Sequence, residues 1–515
     1  MEKYLLGIDI GTTNVKSVLF DLHGTVIGSA QKEYETIFIR DGWVEQDPEK
    51  WWSAVQSTIL QILQNEKIEK NNILALGVSC QAPSMLPVDR EGAPLRNALI
   101  WMDRRTESQC RRIRETVDED KLFEQTGNRI DPFFILPKIL WYKENEPDKY
   151  DKTYKIIQPN GYINFKLTNE YSMDNIHASL SLAYDVKNNK WIDDVLDVFN
   201  IDKEIFPMVK QSSDILGRIS KKAALDTGLS ESTIVITGTV DGVAAAIESG
   251  VIDEGYAVEM TGTSSVLLIA SNHLKYNKNL TFMQHAVKDS YLIFGAMSTT
   301  GASLKWIRDN LYKWDPEQLD QAYQSLDAEV LSDAPLPGKI VYLPYLMGER
   351  SPIWDSYARG IFAGISLETK RGELIRAVLE GAAFALRHNL EEARNSGVKV
   401  NHLLSVGGGA NSDIWMTIKA SVLNLPISVP YNSLGAPLGD AILAGHAVGV
   451  FPDIKQTAMS FRKIKKTYEP CQQWVDYYSD LFESYKSIYS STRQTMHKMH
   501  DQYQKFEHQF NESQV

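Results

Sequence analysis

Gly7-Ile8-Asp9-Ile10-Gly11-Thr12-Thr13-Asn14-Val15-Lys16 is the stretch on which the fold of this chain turns. Tyr4–Ile10 is apolar and β-prone, Gly11-Thr12-Thr13 reads as a turn, and Val15–Phe20 reads as a second strand. Gly11 permits a sharp hairpin whose successive backbone N–H groups can point at one anion. The Thr12 and Thr13 hydroxyls add donors and Lys16 adds positive charge. Asp9, at the end of the first strand, has the hard carboxylate that holds Mg²⁺ through water. The same residues equally make an ordinary β-hairpin.

An echo downstream bears on that choice. Ile8 to Val15 is matched by Glu259-Met260-Thr261-Gly262-Thr263-Ser264-Ser265-Val266, again between two apolar β-rich runs. Two copies of one strand–turn–strand device predict two domains of like fold facing each other, with phosphates clamped from both lobes. Asp9 aligns with Met260, so only the first copy brings a carboxylate. Neither copy is the Gly-rich loop of P-loop enzymes, which leads from strand to helix and ends in Gly-Lys-Ser/Thr.

Outward from the first hairpin, His23-Gly24 turns the chain into a third strand. Asp47-Pro48-Glu49 then opens an amphipathic helix with Trp51, Trp52, Val55, Ile59 and Leu63 on helical spacing. Ile73–Ser79 and Leu95–Trp101 read as further strands, and the alternation of strands with helices gives an α/β class. The expected domains are 1–243, 244–455 and a helical extension over 456–515. In that extension Trp474, Leu481, Tyr485 and Ile488 recur at helical spacing, and the helix is expected to fray after Phe510. It reads as a terminal helix packed on the body, or else as a partner-binding one.

Two further stretches carry chemistry. Val406-Gly407-Gly408-Gly409-Ala410-Asn411-Ser412 leaves backbone uncovered, so that a flat ring such as adenine can lie against it; a plain surface turn fits too. In Ile234-Val235-Ile236-Thr237-Gly238-Thr239-Val240-Asp241-Gly242, a strand reaches a glycine turn, presents Asp241, and enters an apolar helix. A carboxylate there is a helix cap or, at the junction of two lobes, a base that takes a hydroxyl proton in phosphoryl transfer.

Composition narrows the class. Lysine plus arginine is 54 against 66 aspartate plus glutamate, a net charge of −12, which argues against a nucleic-acid or anionic-membrane partner. Cys80, Cys110 and Cys471 form neither a disulfide framework nor a CxxC site and suit a reducing cytosol. With no signal-peptide pattern and no apolar run of the roughly 20 residues a spanning helix needs, a cytoplasmic protein is expected.

Motifs along the chain then resemble the FGGY carbohydrate kinases, a family that includes xylulokinase, gluconokinase and glycerol kinase. Its C-terminal signature is met by Gly360-Ile361-Phe362-Ala363-Gly364-Ile365, seven residues, and Glu373-Leu374-Ile375-Arg376-Ala377-Val378-Leu379-Glu380. Its N-terminal signature is met more loosely by Phe133 to Asn145, around Lys138 and Trp141, with Ile135 and Tyr142 departing from the usual residue types. Trp43 to Pro48, Trp101 to Thr106 and Tyr345 to Pro352 are also family-like. The resemblance implies two actin-like (ribonuclease H-like) domains with an ATP and sugar cleft between them, and ATP and Mg²⁺ as cofactors. It implies Asp241 as general base and Asp9 as the Mg²⁺ residue. Gly11, Thr12, Thr13, Lys16, Thr261, Gly262 and Thr263 would lie at the phosphates, with Gly301, Gly408, Gly409 and Asn411 near the rest of the nucleotide.

Substrate choice in the family is read from Ser79-Cys80-Gln81-Ala82-Pro83-Ser84 and the residues after Trp101. Glycerol kinases carry Arg-Glu where this chain has Ala82-Pro83, which disfavours glycerol. Xylulokinases and gluconokinases usually carry Met-His there, and xylulokinases tend to have Asn where Gly242 stands. Gln81, Asp103 and Asp241 remain as polar sugar contacts, and Trp101 either packs on a carbon skeleton or belongs to the core. A ketopentose such as xylulose is the expected substrate. Gluconate is the alternative, with Arg104 or Arg105 gripping its carboxylate or else forming surface ion pairs. A non-catalytic sugar or nucleotide sensor and an actin-like ATPase are rival classes, and a homodimer is a possible assembly.

Overall fold

A computed structural model describes residues 2–312, 321–431 and 433–512. The chain forms two compact units. The first comprises Met1–Asp253, Ala270–Leu292 and Asn432–Lys463; the second comprises Glu254–Ile269, Ile293–Tyr431 and Ile464–Val515.

In the first unit the main sheet runs, in spatial order, Ile215–Arg218, Ile234–Ile236, Ile73–Cys80, Tyr4–Ile10, Asn14–Asp21 and Val26–Glu33. Tyr4–Ile10 pairs antiparallel with Asn14–Asp21 and parallel with Ile73–Cys80, which is parallel in turn to Ile234–Ile236. The second unit repeats the scheme. Gly255–Thr261 is antiparallel to Ser265–Ser271 and parallel to Val400–Val406, which is parallel to Ile427–Pro430. Both hairpins close on their glycine: Gly11 N–H donates to Asn14 O at 3.0 Å and Gly262 N–H to Ser264 O at 2.9 Å. The internal echo is therefore a duplicated topology.

Strand periodicity sorts the residues of Tyr4–Ile10 onto two faces. Tyr4, Leu6, Ile8 and Ile10 join a core with Trp51, Val55 and Ile59 of the helix Pro48–Asn65, whose first turn is capped by Asp47. Leu5, Gly7 and Asp9 face the other way, toward the helix Ala436–Ala447. That helix lies so close that a Cβ on Gly7 would sit 1.9 Å from Pro437 O, and one on Gly77 2.8 Å from Asp440 O. The linear division at 455 thus differs from the spatial one. Ala436–Ala447 packs on the first unit because bare backbone at Gly7 and Gly77 meets its small-residue face.

Two expected elements differ in detail. Of Leu95–Trp101 only Ala98–Leu99 is strand, because only these two residues form a continuous ladder, with Gln46 and Glu45. The terminal helix spans Gln472–Glu512, and its buried stripe is Val475, Tyr478, Phe482 and Tyr485 rather than Trp474, Leu481 and Ile488. Tyr478 donates to Glu380 at 2.8 Å and Tyr485 meets Tyr345 at 2.6 Å, so the helix is packed on its unit. The expected fraying after Phe510 falls mostly outside the described residues. Among the described residues no helix is long and apolar enough to cross a membrane.

Candidate active site

In the first unit the Gly11-Thr12-Thr13 turn is held by its carbonyls. Gly11 O accepts from the Tyr34 hydroxyl, and Thr12 O accepts from Gln46 Nε2 at 2.7 Å and Thr36 Oγ1 at 3.3 Å. A trans peptide aims its N–H opposite to its carbonyl, so the Thr12 and Thr13 N–H groups point away from this scaffold, as an anion site needs. Thr12 Oγ1 donates to Gln81 Oε1 at 3.2 Å and accepts from Trp101 Nε1 at 3.0 Å. Gln81 Nε2 donates to Gln46 Oε1 at 2.6 Å. The structure therefore brings Thr12, Gln81 and Trp101 together, with Gln46, Thr36 and Tyr34 as supports the sequence reading did not single out.

Asp9 and Asp241 lie near enough to act on one another electrostatically. Burial chiefly raises the Asp9 carboxyl and the Asp241 charge raises it further, opposed by Lys16 and Ser79. Asp241 is raised by burial against the Gly242 N–H and His177, which favour its charged form. Asp9 Oδ1 is buried without a hydrogen-bond partner. Asp241 is not the cap of its helix: Val240 holds that position, and Asp241, the first helical residue, accepts from the adjacent Gly242 N–H at 2.6 Å. The glycine turn before it is forced by packing, since Gly238 has φ of +79° and a Cβ there would lie 2.0 Å from Val78 O. Among the described residues no three His, Cys, Asp or Glu side chains gather closely enough to hold a metal alone.

Lys16 reaches the loop before the helix Ala436–Ala447. Its Nζ donates to Leu434 O at 2.8 Å, and its charge acts on Asp9 and on Glu248. Glu248 clasps the same loop, accepting from Leu434 N–H at 2.5 Å and Gly435 N–H at 3.0 Å.

Asp103 is not brought to the others. It is fully buried: its Oδ2 accepts from Val44 N–H and Arg105 Nη2, each at 2.7 Å, and its Oδ1 accepts from Arg105 Nε at 2.9 Å, so neither oxygen is left to offer a sugar. Arg105 is enclosed rather than superficial: its side chain is 1% exposed, paired with Asp103 and Glu45 and stacked on Trp43. Arg104 pairs with Asp131 at 2.6 Å and Glu107 at 3.3 Å. Both cations proposed for gluconate are thus engaged.

The second unit holds a cavity of about 420 Å³, within the ordinary range for small-ligand sites. Thr261, Gly262, Thr263, Gly301, Gly408, Gly409 and Asn411 all line it. The turn and the helix Thr300–Leu311 interlock at glycine: a Cβ on Gly301 would lie 2.0 Å from Gly262 O, and Ala302 N–H donates to Thr263 O at 2.8 Å. Tyr323 and Trp415 add aromatic wall that the sequence reading missed. Beneath Thr261 lie the buried Glu259 and Lys419, also unforeseen. A larger cavity of about 600 Å³ in the first unit, beside Asp253 and His446, contains none of the expected residues.

Comparison with known proteins bears on this pair of sites. Residues 4–248 match the N-terminal domain of the FGGY family of carbohydrate kinases and residues 257–448 match its C-terminal domain. A xylulose kinase of Bacillus subtilis (strain 168) is 31% identical over 493 residues, covering 95% of this chain and 97% of its own. The crystal structure of a xyloylose kinase from Brucella ovis is similar with a TM-score of 0.88 at 29% identity, over 96% of this chain and 100% of that one. The gluconate kinase from Lactobacillus acidophilus also gives 0.88, at 27% identity, over 97% and 100%.

Proposed function

The chain belongs to the FGGY family of carbohydrate kinases, and from that premise we propose that it transfers the γ-phosphoryl group of ATP to a hydroxyl of a ketopentose such as xylulose. The carrying observation is Asp241, a raised carboxyl at the start of its helix that is beside Asp9 and is not spent on capping. A carboxylate with an elevated pKa is a better proton acceptor near neutrality.

In this reading Asp241 takes the proton as the sugar oxygen forms its bond to the γ-phosphorus and the bond to the β-phosphate oxygen breaks, leaving ADP. The Thr12 and Thr13 N–H groups donate to the phosphate oxygens that gain charge. Trp101 flanks the sugar, Gln81 is buried behind it holding Thr12 and Gln46, and the cavity of the second unit takes the nucleotide, with Gly408 and Gly409 against the adenosine. Mg²⁺ fits Asp9, whose buried Oδ1 lacks a partner. Such an ion is usually held by one or two carboxylates together with waters and phosphate oxygens, and it neutralises charge developing on the phosphates. Gluconate weighs less than a ketopentose, because Arg104 and Arg105 are committed to Asp131, Glu107, Asp103 and Glu45.

ADP release measured across pentuloses, hexuloses, sugar alcohols and aldonates tests this. A single strong responder among the pentuloses is expected, and Asp241→Asn should lower its turnover about 10²- to 10⁴-fold with nucleotide binding retained. Full activity in that variant would remove Asp241 as the base. Nucleotide binding with no response to any sugar would favour a sensor.

A further inference from the structure

A third carboxylate shares the surroundings of Asp9 and Asp241. Asp440 lies on the helix Ala436–Ala447, fully buried within an otherwise apolar and small-residue sequence. Its Oδ2 accepts from Ser79 Oγ at 2.6 Å, while its Oδ1 is buried with no hydrogen-bond partner. Asp9 and Asp241 both lie near enough to act on it electrostatically.

Strand geometry explains why these groups converge. Asp9 and Ser79 are paired neighbours on adjacent parallel strands. Because side chains alternate along a strand, Asp9 shares the face of Gly7, and Ser79 shares the face of Gly77. At both glycines the helix Ala436–Ala447 closely approaches the sheet, and a Cβ on Gly77 would come 3.2 Å from Asp440 Cβ. Ser79 Oγ interacts with both acids, yet it has one proton, and it gives that proton to Asp440 in the 2.6 Å bond. Each acid is left with one buried oxygen unsatisfied. A buried unsatisfied acceptor is costly, and more so when charged. Nearby, Lys16 directs its ammonium at Leu434 O.

We infer that Asp440 and Asp9 together form a two-carboxylate site for a divalent cation, with Ser79 fixing their separation. The inference rests on the reading of Asp9 as the Mg²⁺ residue and adds a second anionic donor to it. Mg²⁺ sites built from one or two carboxylates fit such a pair. The cation gives both orphaned oxygens a partner, and Gly7 and Gly77 serve to bring the helix that carries Asp440 within reach.

The test is a titration of the full chain with Mn²⁺, without nucleotide, followed by the electron paramagnetic resonance signal of the free ion. Wild type, Asp9→Asn, Asp440→Asn and Asp440→Ala are compared, with metal-free ADP affinity and the thermal midpoint as controls. Both Asp440 variants should bind Mn²⁺ roughly 10- to 100-fold more weakly, with ADP affinity unchanged and the thermal midpoint no lower. The alanine variant removes every polar atom and so covers the case in which a buried amide disturbs folding. If Asp9→Asn loses Mn²⁺ while both Asp440 variants bind as wild type does, the Asp440 inference is overturned and the Asp9 reading survives. If wild type binds no Mn²⁺ at millimolar concentration, or Asp9→Asn binds it normally, both fall.

Discussion

Lys419 Nζ lies 2.7 Å from Glu259 Oε1 and 2.9 Å from Thr261 Oγ1, behind two residues, Thr261 and Trp415, that line the cavity of the second unit. Both members of the ion pair are buried, and Glu259 also accepts from Ser405 Oγ at 2.6 Å and Ser265 Oγ at 3.2 Å. Ser265 Oγ lies 2.7 Å from Thr300 Oγ1, one residue before Gly301. One buried network therefore ties the hairpin Gly255–Ser271, the strand before the triple glycine, and the helix that starts at Thr300. These are the elements that contribute the cavity's glycines.

Removing one partner of that pair leaves the other charge buried and uncompensated. Lys419→Met or Glu259→Gln alone should destabilise the chain by about 3–5 kcal/mol, whereas the double variant should recover much of that. Chemical denaturation of the three variants checks it. Singles as stable as wild type would show that water reaches the pair. Both singles should also raise the KM for ATP while leaving the KM for sugar nearly unchanged, because the network supports only the nucleotide cavity.

Gly262 and Gly408 separate binding from folding. A Cβ on Gly408 meets nothing within 4 Å, and one on Gly262 meets only Ser264 O at 3.9 Å. Both glycines line the cavity, so a side chain at either position is tolerated by the fold and obstructs the ligand. Gly262→Val and Gly408→Val should weaken ATP binding about tenfold or more, measured by calorimetry, with the thermal midpoint within about 2 °C of wild type (a tenfold change is about 1.4 kcal/mol). Gly409→Val is the contrast. Its Cβ would already lie 2.7 Å from Thr261 Cγ2, so it should lose stability as well as affinity. Unchanged ATP affinity in the first two variants would take these turns out of the site.

What the sequence made legible was local. The two hairpins, the glycine run and Asp241 each announce themselves within about ten residues, because a turn needs glycine and an isolated acid after an apolar strand has few structural uses. The duplicated topology could be read because both copies retain that local signal. Contacts of long sequence separation could not be read this way: Ser79 and Asp440 are 361 residues apart, and Glu259 and Lys419 are 160 apart. Asp103 was misjudged because nothing local says that Arg105 folds back on it between Trp43 and Trp141. The contact of Lys16 with Leu434 O could not be read for the same reason, because the two are 418 residues apart. Asp440 did carry a signal, a lone acid between Gly439 and Ala441-Ile442-Leu443, which is a costly residue to bury without a purpose.

Glu349 gives a pH dependence whose sign is fixed by its surroundings. Its Oε1 accepts from Ser298 N–H at 2.7 Å and Arg350 N–H at 2.8 Å, and its Oε2 is buried without a partner. Burial outweighs these donors and pushes the carboxyl up from 4.5 to about 7. Between those values the folded chain holds a proton that the unfolded chain has released, so stability falls as pH rises. The contribution of this group is fully present below about 4.5 and is lost as pH climbs through about 7. Glu349→Gln keeps the accepting oxygen and removes the titration. The thermal midpoint of wild type, taken relative to that of the variant, should therefore decline from about pH 4 to about pH 8, on either side of the roughly 4.5–7 window. A constant difference across that range would mean that Glu349 is ionised throughout, and that the Oε2 site reaches water or a cation.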